Sequence, residues 1–174
     1  MSQMEYVFCH IPKTGGISIG KAVGQKPNHK IMDKKIINKF LFTFVRNPYD
    51  RMISTYFYLK NGGRNLQDKK DSHEFISNLS LSDFIFQKLE ISSMNQQHFK
   101  PQNYWIPNGA DFIGKYEKID SDFEILKEVL KIDKNKKLEH LNTSNKTTIS
   151  LNNREKREIF RIYQKDFELF NYFE

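Results

Sequence analysis

Apolar residues along this chain fall into short continuous runs near the N-terminus and into helical stripes further on. Glu5 to His10 and Phe40 to Val45 read as two strands, and the second, almost wholly apolar, has the composition of a parallel strand buried on both faces. Each run ends in a polar turn that opens a helix. The first helix is expected from about Ile17 to Val23, after the turn Lys13-Thr14-Gly15-Gly16. The second has Asn47 as N-cap, Pro48 at the first helical position and Asp50 in the first turn, and it stops at Asn61-Gly62-Gly63. Tyr49, Met52, Ile53, Tyr56 and Phe57 recur at helical spacing and are expected to face the core, with Arg51, Ser54 and Tyr58 on another face.

The polar stretch to Ser72 reads as a mobile loop and Leu81 to Leu89 as a short helix. A third strand is expected over Ala110 to Tyr116. A helix from Asp122 to Lys131 follows, with Phe123, Leu126, Val129 and Leu130 inward, and a last helix starts near Asn153 and turns Ile159, Tyr163, Phe167 and Phe170 inward. The alternation of strands and helices predicts an α/β three-layer sandwich with a central parallel sheet. No repeat or Pro/Gly-rich linker divides the chain, so one domain over residues 1–174 is expected.

A strand that feeds a glycine-containing turn and a helix N-terminus aims several backbone N–H groups at one spot, where anions bind. Here two strand-to-helix turns, the first of them with glycines, each carry a cation and a hydroxyl, Lys13 with Thr14 and Ser18 in the first, Arg46 with Ser54 in the second. Together they suggest a ligand with two separated phosphate-like groups. Gly15 to Lys21 also spells G-x-x-x-x-G-K, the skeleton of the ATP- and GTP-binding P-loop. Ala22 stands where that motif needs a metal-binding hydroxyl, the loop would begin too late after the strand, and the second strand ends in Arg46 rather than an aspartate.

Composition adds little to this. The net charge of +7 admits a polyanion binder, for RNA among others, but Lys131 to Lys137 reads as a solvated turn and no aromatic-and-basic motif supports nucleic acid. The single cysteine, Cys9, lies inside an apolar strand and is expected to be a buried, inert thiol. No leader-like segment precedes the first strand and no apolar run approaches membrane-spanning length, so a cytoplasmic protein with no membrane span is expected.

His10-Ile11-Pro12-Lys13-Thr14-Gly15-Gly16-Ile17-Ser18 resembles the 5′-phosphosulfate loop of sulfotransferases, and Val45-Arg46-Asn47-Pro48-Tyr49-Asp50-Arg51-Met52-Ile53-Ser54-Thr55-Tyr56 resembles their 3′-phosphate segment. The wording is most similar to the carbohydrate sulfotransferases, as are Gln97 to Gln102, Ile113 to Glu117 and Tyr163 to Phe170. The resemblance implies a P-loop-like sulfotransferase fold and 3′-phosphoadenosine 5′-phosphosulfate as donor, with no metal. It implies donor binding by Lys13, Thr14, Gly15, Gly16, Ile17, Ser18, Arg46 and Ser54, and a carbohydrate hydroxyl as acceptor. Lys13 can reach the bridging oxygen, where charge collects as the S–O bond breaks.

The acceptor hydroxyl needs a base, and histidine is the usual agent near neutral pH. Of the five histidines, His10 reads as a buttress of the loop, and His73 and His140 lie in polar stretches expected to be solvated. His29, between the two motifs where such enzymes often place their base, and His98, beside Phe99, Tyr104 and Trp105, remain as candidates. His98 can alternatively orient a sugar lying on those aromatics.

Overall fold

The computed structural model describes residues 4–26, 28–76, 78–139 and 149–173; His140 lies outside them. The chain divides into two compact units, one from Met1–Arg46 with Gln102–Thr147, the other from Asn47–Pro101 with Thr148–Glu174.

The first unit is an α/β unit on a parallel sheet, as the alternation predicts. Its strands are β1 (Tyr6–Cys9), β2 (Phe40–Val45) and β3 (Phe112–Lys115), its helices α1 (Gly16–Val23) and α6 (Ile119–Leu130). β2 is central, with Tyr6 opposite Phe40 on one side and Phe42 opposite Phe112 on the other, both pairings parallel. Leu41 through Val45 are all buried, which is why that run carries no polar alternation. Phe8, Phe42 and Phe44 share one core with Ile19, Ala22 and Val23 of α1 and Phe123, Leu126 and Leu130 of α6. Val129, expected inward, is 37% exposed. It sits about 100° round the helix from Leu130, outside the stripe that Phe123, Leu126 and Leu130 already fill.

Cys9 and Thr43 are fully buried side by side, with the Thr43 hydroxyl donating to the Cys9 carbonyl at 2.7 Å. The Cys9 sulfur lies 3.6 Å from the Trp105 carbonyl and 3.7 Å from that of Lys30. Burial pushes its thiol up to about 12. Native protein treated with iodoacetamide at pH 8 is therefore expected to stay unmodified by intact mass, and to take up one adduct once unfolded in guanidinium.

The second unit is helical: α2 (Pro48–Lys60), α3 (Leu66–Asp71), α4 (Leu81–Gln87), α5 (Leu89–Asn95) and α7 (Asn153–Leu169). Its core joins Met52, Tyr56 and Leu59 to Phe84, Phe99, Ile159, Tyr163 and Phe167. α2 starts as its residues require, with the Asn47 side chain accepting from the Tyr49 N–H at 2.9 Å. α7 opens on a capping box between Asn152 and Glu155.

Three expectations fail in this unit. The stretch to Ser72 is not a loop: α3 forms because Asn65 caps the Asp68 N–H at 2.8 Å, and a π-helical turn continues over Ser72–Ile76. The helix expected over Leu81 to Leu89 is two helices, broken at Lys88 and running on to Asn95. Phe57 is 37% exposed because Leu59 and Tyr56 take the inward positions of α2. No helix among the described residues is long and apolar enough to cross a membrane.

Candidate functional site

The chain leaves β1 at Cys9 and turns tightly before α1. Lys13 (φ 67°) and Gly15 (φ 81°) both take the left-handed conformation, so the turn reverses without an extended linker. The fully buried Thr14 donates its hydroxyl to the Ile11 carbonyl at 2.9 Å. That hydrogen bond pins the turn from inside, so the Thr14 hydroxyl is committed as a donor to the backbone rather than to an anion. Gly15 is the N-cap of α1 and makes no side-chain cap, and the first turn of the helix has no acidic residue. The positive end of the helix dipole is therefore not neutralised by its own side chains.

Two glycines are sterically required here. A Cβ on Gly15 would come within 2.7 Å of Ile119 Cδ1 and 3.1 Å of the Tyr116 ring. A Cβ on Gly16 would overlap the His10 ring at 1.7 Å. His10, 7% exposed, is thus packed under the start of α1 and buttresses the turn, as its position before the loop suggests. Ser18 is buried and Ile17 is 37% exposed in the first turn of the helix.

Arg46 follows β2 and comes to the same place. Its Nη1 lies 3.5 Å from the Lys13 carbonyl, and its guanidinium lies over the Tyr116 ring, 4.4 Å from the centroid. Its Nε is buried with no hydrogen-bond partner among the described residues. The two cationic turns therefore adjoin, and an arginine N–H stands unpaired beside an uncapped helix N-terminus. The Arg46 backbone is held by Gln102, whose Oε1 accepts from the Arg46 N–H at 2.8 Å while its Nε2 donates to the Arg46 carbonyl at 2.9 Å. Ser54 lies half-buried on α2, in the helical unit.

His29 shares a unit with the first turn. Its ring is 4.4 Å from the His10 ring and 6.0 Å from Trp105, and its Nδ1 lies 3.1 Å from the His10 carbonyl. A carbonyl only accepts, so Nδ1 carries a proton and, in the neutral ring, Nε2 is the acceptor nitrogen.

His98, in the helical unit, has the opposite arrangement. The Gln96 Oε1 accepts from the N–H groups of His98 and Phe99, at 2.6 and 3.0 Å, which fixes the other end of that amide as NH₂. This Nε2 donates to Asp71 Oδ2 at 2.8 Å and to His98 Nδ1 at 3.0 Å. The proton of neutral His98 is then on Nε2, which makes that nitrogen a donor.

Around His98 the polar groups are buried and mutually committed. Asp68 accepts from the Tyr58 hydroxyl at 2.5 Å and the Arg64 N–H at 2.9 Å. Burial alone would raise the Asp68 carboxyl, but these bonds hold it below the usual range; burial, with the Asp68 bond, pushes the Tyr58 hydroxyl up. Arg51, 2% exposed, donates to the carbonyls of His98 and Lys100. Phe99 and Trp105 are core residues, at 0% and 3% exposure, so neither is an open platform for a sugar. His73 is exposed.

The P-loop alternative fails on position. Gly20 and Lys21 lie inside α1, and Lys21 is an exposed residue of its last turn, paired with Glu139 at 2.7 Å. No group of three His, Cys, Asp or Glu able to hold a metal ion occurs among the described residues.

Sequence reasoning gave no role to Gln102 or Tyr116, although both lie in segments singled out for their wording. Nothing local marks a side chain that will pair with a backbone 56 residues away.

No curated protein and no solved structure matches the chain. A family model described as "Sulfotransferase family" matches residues 21–173. The match takes in His29, Arg46, Ser54, His98, Gln102 and Tyr116, while the Lys13 to Ser18 turn precedes it. With nearly the whole chain inside that match, from the end of α1 through β2 and Arg46 to the last helix, this protein belongs to the sulfotransferase family.

Proposed function

We propose that the chain transfers a sulfuryl group from 3′-phosphoadenosine 5′-phosphosulfate to a hydroxyl of a carbohydrate acceptor by in-line displacement. The observation that carries this reading is the junction of the two cationic turns, where Arg46 Nη1 stands 3.5 Å from the Lys13 carbonyl beside the uncapped start of α1. The buried Arg46 Nε, with no hydrogen-bond partner among the described residues, fits a phosphate acceptor oxygen. When bound, the donor supplies an activated sulfuryl group on a phosphate leaving group.

The chain's own residues then divide the work. Lys13, Ser18 and the backbone of Thr14, Gly15, Gly16 and Ile17 hold the phosphosulfate end, and Lys13 neutralises the charge that develops on the leaving oxygen. Arg46 holds the 3′-phosphate, with Ser54 assigned to it on the resemblance alone. His29 takes the acceptor proton on Nε2, since its Nδ1 proton is committed to the His10 carbonyl. Support for a carbohydrate acceptor comes from the wording of Gln97 to Gln102 and Ile113 to Glu117.

Thermal denaturation tests the donor. The bisphosphate nucleotide 3′-phosphoadenosine 5′-phosphate is expected to raise the melting temperature, and ATP with Mg²⁺ to raise it much less; equal shifts would overturn the reading. Arg46→Ala is expected to weaken binding of the bisphosphate by about 10- to 100-fold in calorimetry, the loss of charge-assisted bonds worth about 1.5–3 kcal/mol.

A further inference from the structure

Gln102 is fully buried at the start of the 3-10 turn Gln102–Tyr104. Its side-chain amide meets both backbone polar groups of a single residue, the N–H and the carbonyl of Arg46, at 2.8 and 2.9 Å. Arg46 is the first residue beyond β2, and strand pairing has ended there: the last paired positions are Thr43 with Cys9 and Val45 with Lys115. The amide thus acts as one further strand residue and satisfies a backbone that the sheet no longer reaches. Glutamine is chemically specific for this task. A glutamate would set a carboxylate against the Arg46 carbonyl, a methionine would leave two buried backbone groups unpaired, and an asparagine is one methylene short.

Fixing the Arg46 backbone at both N and O sets the direction in which its side chain leaves the chain. The guanidinium is then located by the Tyr116 ring at 4.4 Å and by the Lys13 carbonyl at 3.5 Å. Tyr116 also closes against Gly15, within 3.2 Å of where a Cβ would lie, so the surface that supports the arginine also shapes the first turn.

We propose that Gln102 is a positioning residue for the sulfuryl donor: it acts through Arg46, holding the guanidinium ready for a nucleotide phosphate so that binding does not have to order it. This rests on the proposed function in one respect, that Arg46 meets the donor. Preorganisation of this kind changes affinity without a contact of its own.

A double-mutant cycle read by calorimetry with 3′-phosphoadenosine 5′-phosphate tests it. Gln102→Met is expected to weaken binding about tenfold in the Arg46 protein and to cause no further loss in the Arg46→Ala protein. A merely structural glutamine would instead cost affinity equally in both backgrounds, and that result would overturn the proposal, as would unchanged affinity in Gln102→Met. Should the methionine variant fail to fold, Gln102→Asn goes through the same cycle: a loss confined to the Arg46 background supports the proposal, and an equal loss in both overturns it. If the unsubstituted protein does not bind the bisphosphate at all, the fault lies with the proposed function and not with Gln102.

Discussion

Lys13→Ala is expected to lower kcat by about 10²–10³, the range found when a single fixed donor to developing charge is removed. The assay is release of 3′-phosphoadenosine 5′-phosphate from the sulfuryl donor over a panel of hydroxyl-bearing glycans. The lysine sits at φ 67°, a conformation any L-residue finds strained, so alanine inherits the strain already present and adds little. The turn around it is held by other groups: Thr14 by the Ile11 carbonyl, Gly16 by the His10 ring. Circular dichroism and melting temperature are therefore expected to stay close to those of the parent. If the ammonium acts as proposed, mainly while the S–O bond breaks, kcat and kcat/KM are expected to fall together. Turnover within a few-fold of the parent would remove Lys13 from the chemistry.

What could be read in advance follows from the range of the forces involved. β2 is legible because burial on both faces forces an unbroken apolar run, and the start of α2 because Asn47 and Pro48 act within one turn of themselves. The glycines of the first turn are legible for a similar reason: backbone reversal and close approach leave few residues possible. α3 was not legible. Leu66–Asp71 has no apolar stripe, and its order comes from a cap at Asn65 together with a carboxylate, Asp68, that bonds Tyr58 and Arg64. Lys88 likewise carries no helix-breaking residue type, so the division of α4 from α5 had no local mark. In the site, the cation of each turn and the glycines of the first were visible, while the groups that hold Arg46 were not. Gln102 and Tyr116 come from distant segments, and only tertiary structure brings them to it.

Histidine chemistry separates the two remaining candidates for the base. A general base must present a lone pair, and which nitrogen does so is set by the bond the other one makes. His29 gives its Nδ1 proton to the His10 carbonyl, so its Nε2 accepts. His98 receives the Gln96 NH₂ on Nδ1, so its Nε2 donates. His29→Gln is expected to lower kcat by about 10²–10⁴, the usual contribution of a positioned base. The sign of the expected pH effect follows from the same proposed role: the base works only when neutral, so the rate of the parent is expected to fall on acidification. That acid limb is expected to vanish from the residual activity of His29→Gln. His98→Gln disturbs a buried network that includes Gln96 and Asp71, so its main expected effect is a lower melting temperature, with the acid limb retained. Full activity in His29→Gln, together with loss of the acid limb in His98→Gln, would transfer the role to His98. It would also require the Gln96 amide to release Nδ1, a rearrangement visible as a shift of the His98 ring ¹⁵N resonances. The two variants are thus expected to differ in kind, because on the proposed role of His29 one removes a lone pair from the reaction and the other removes a partner from a buried network.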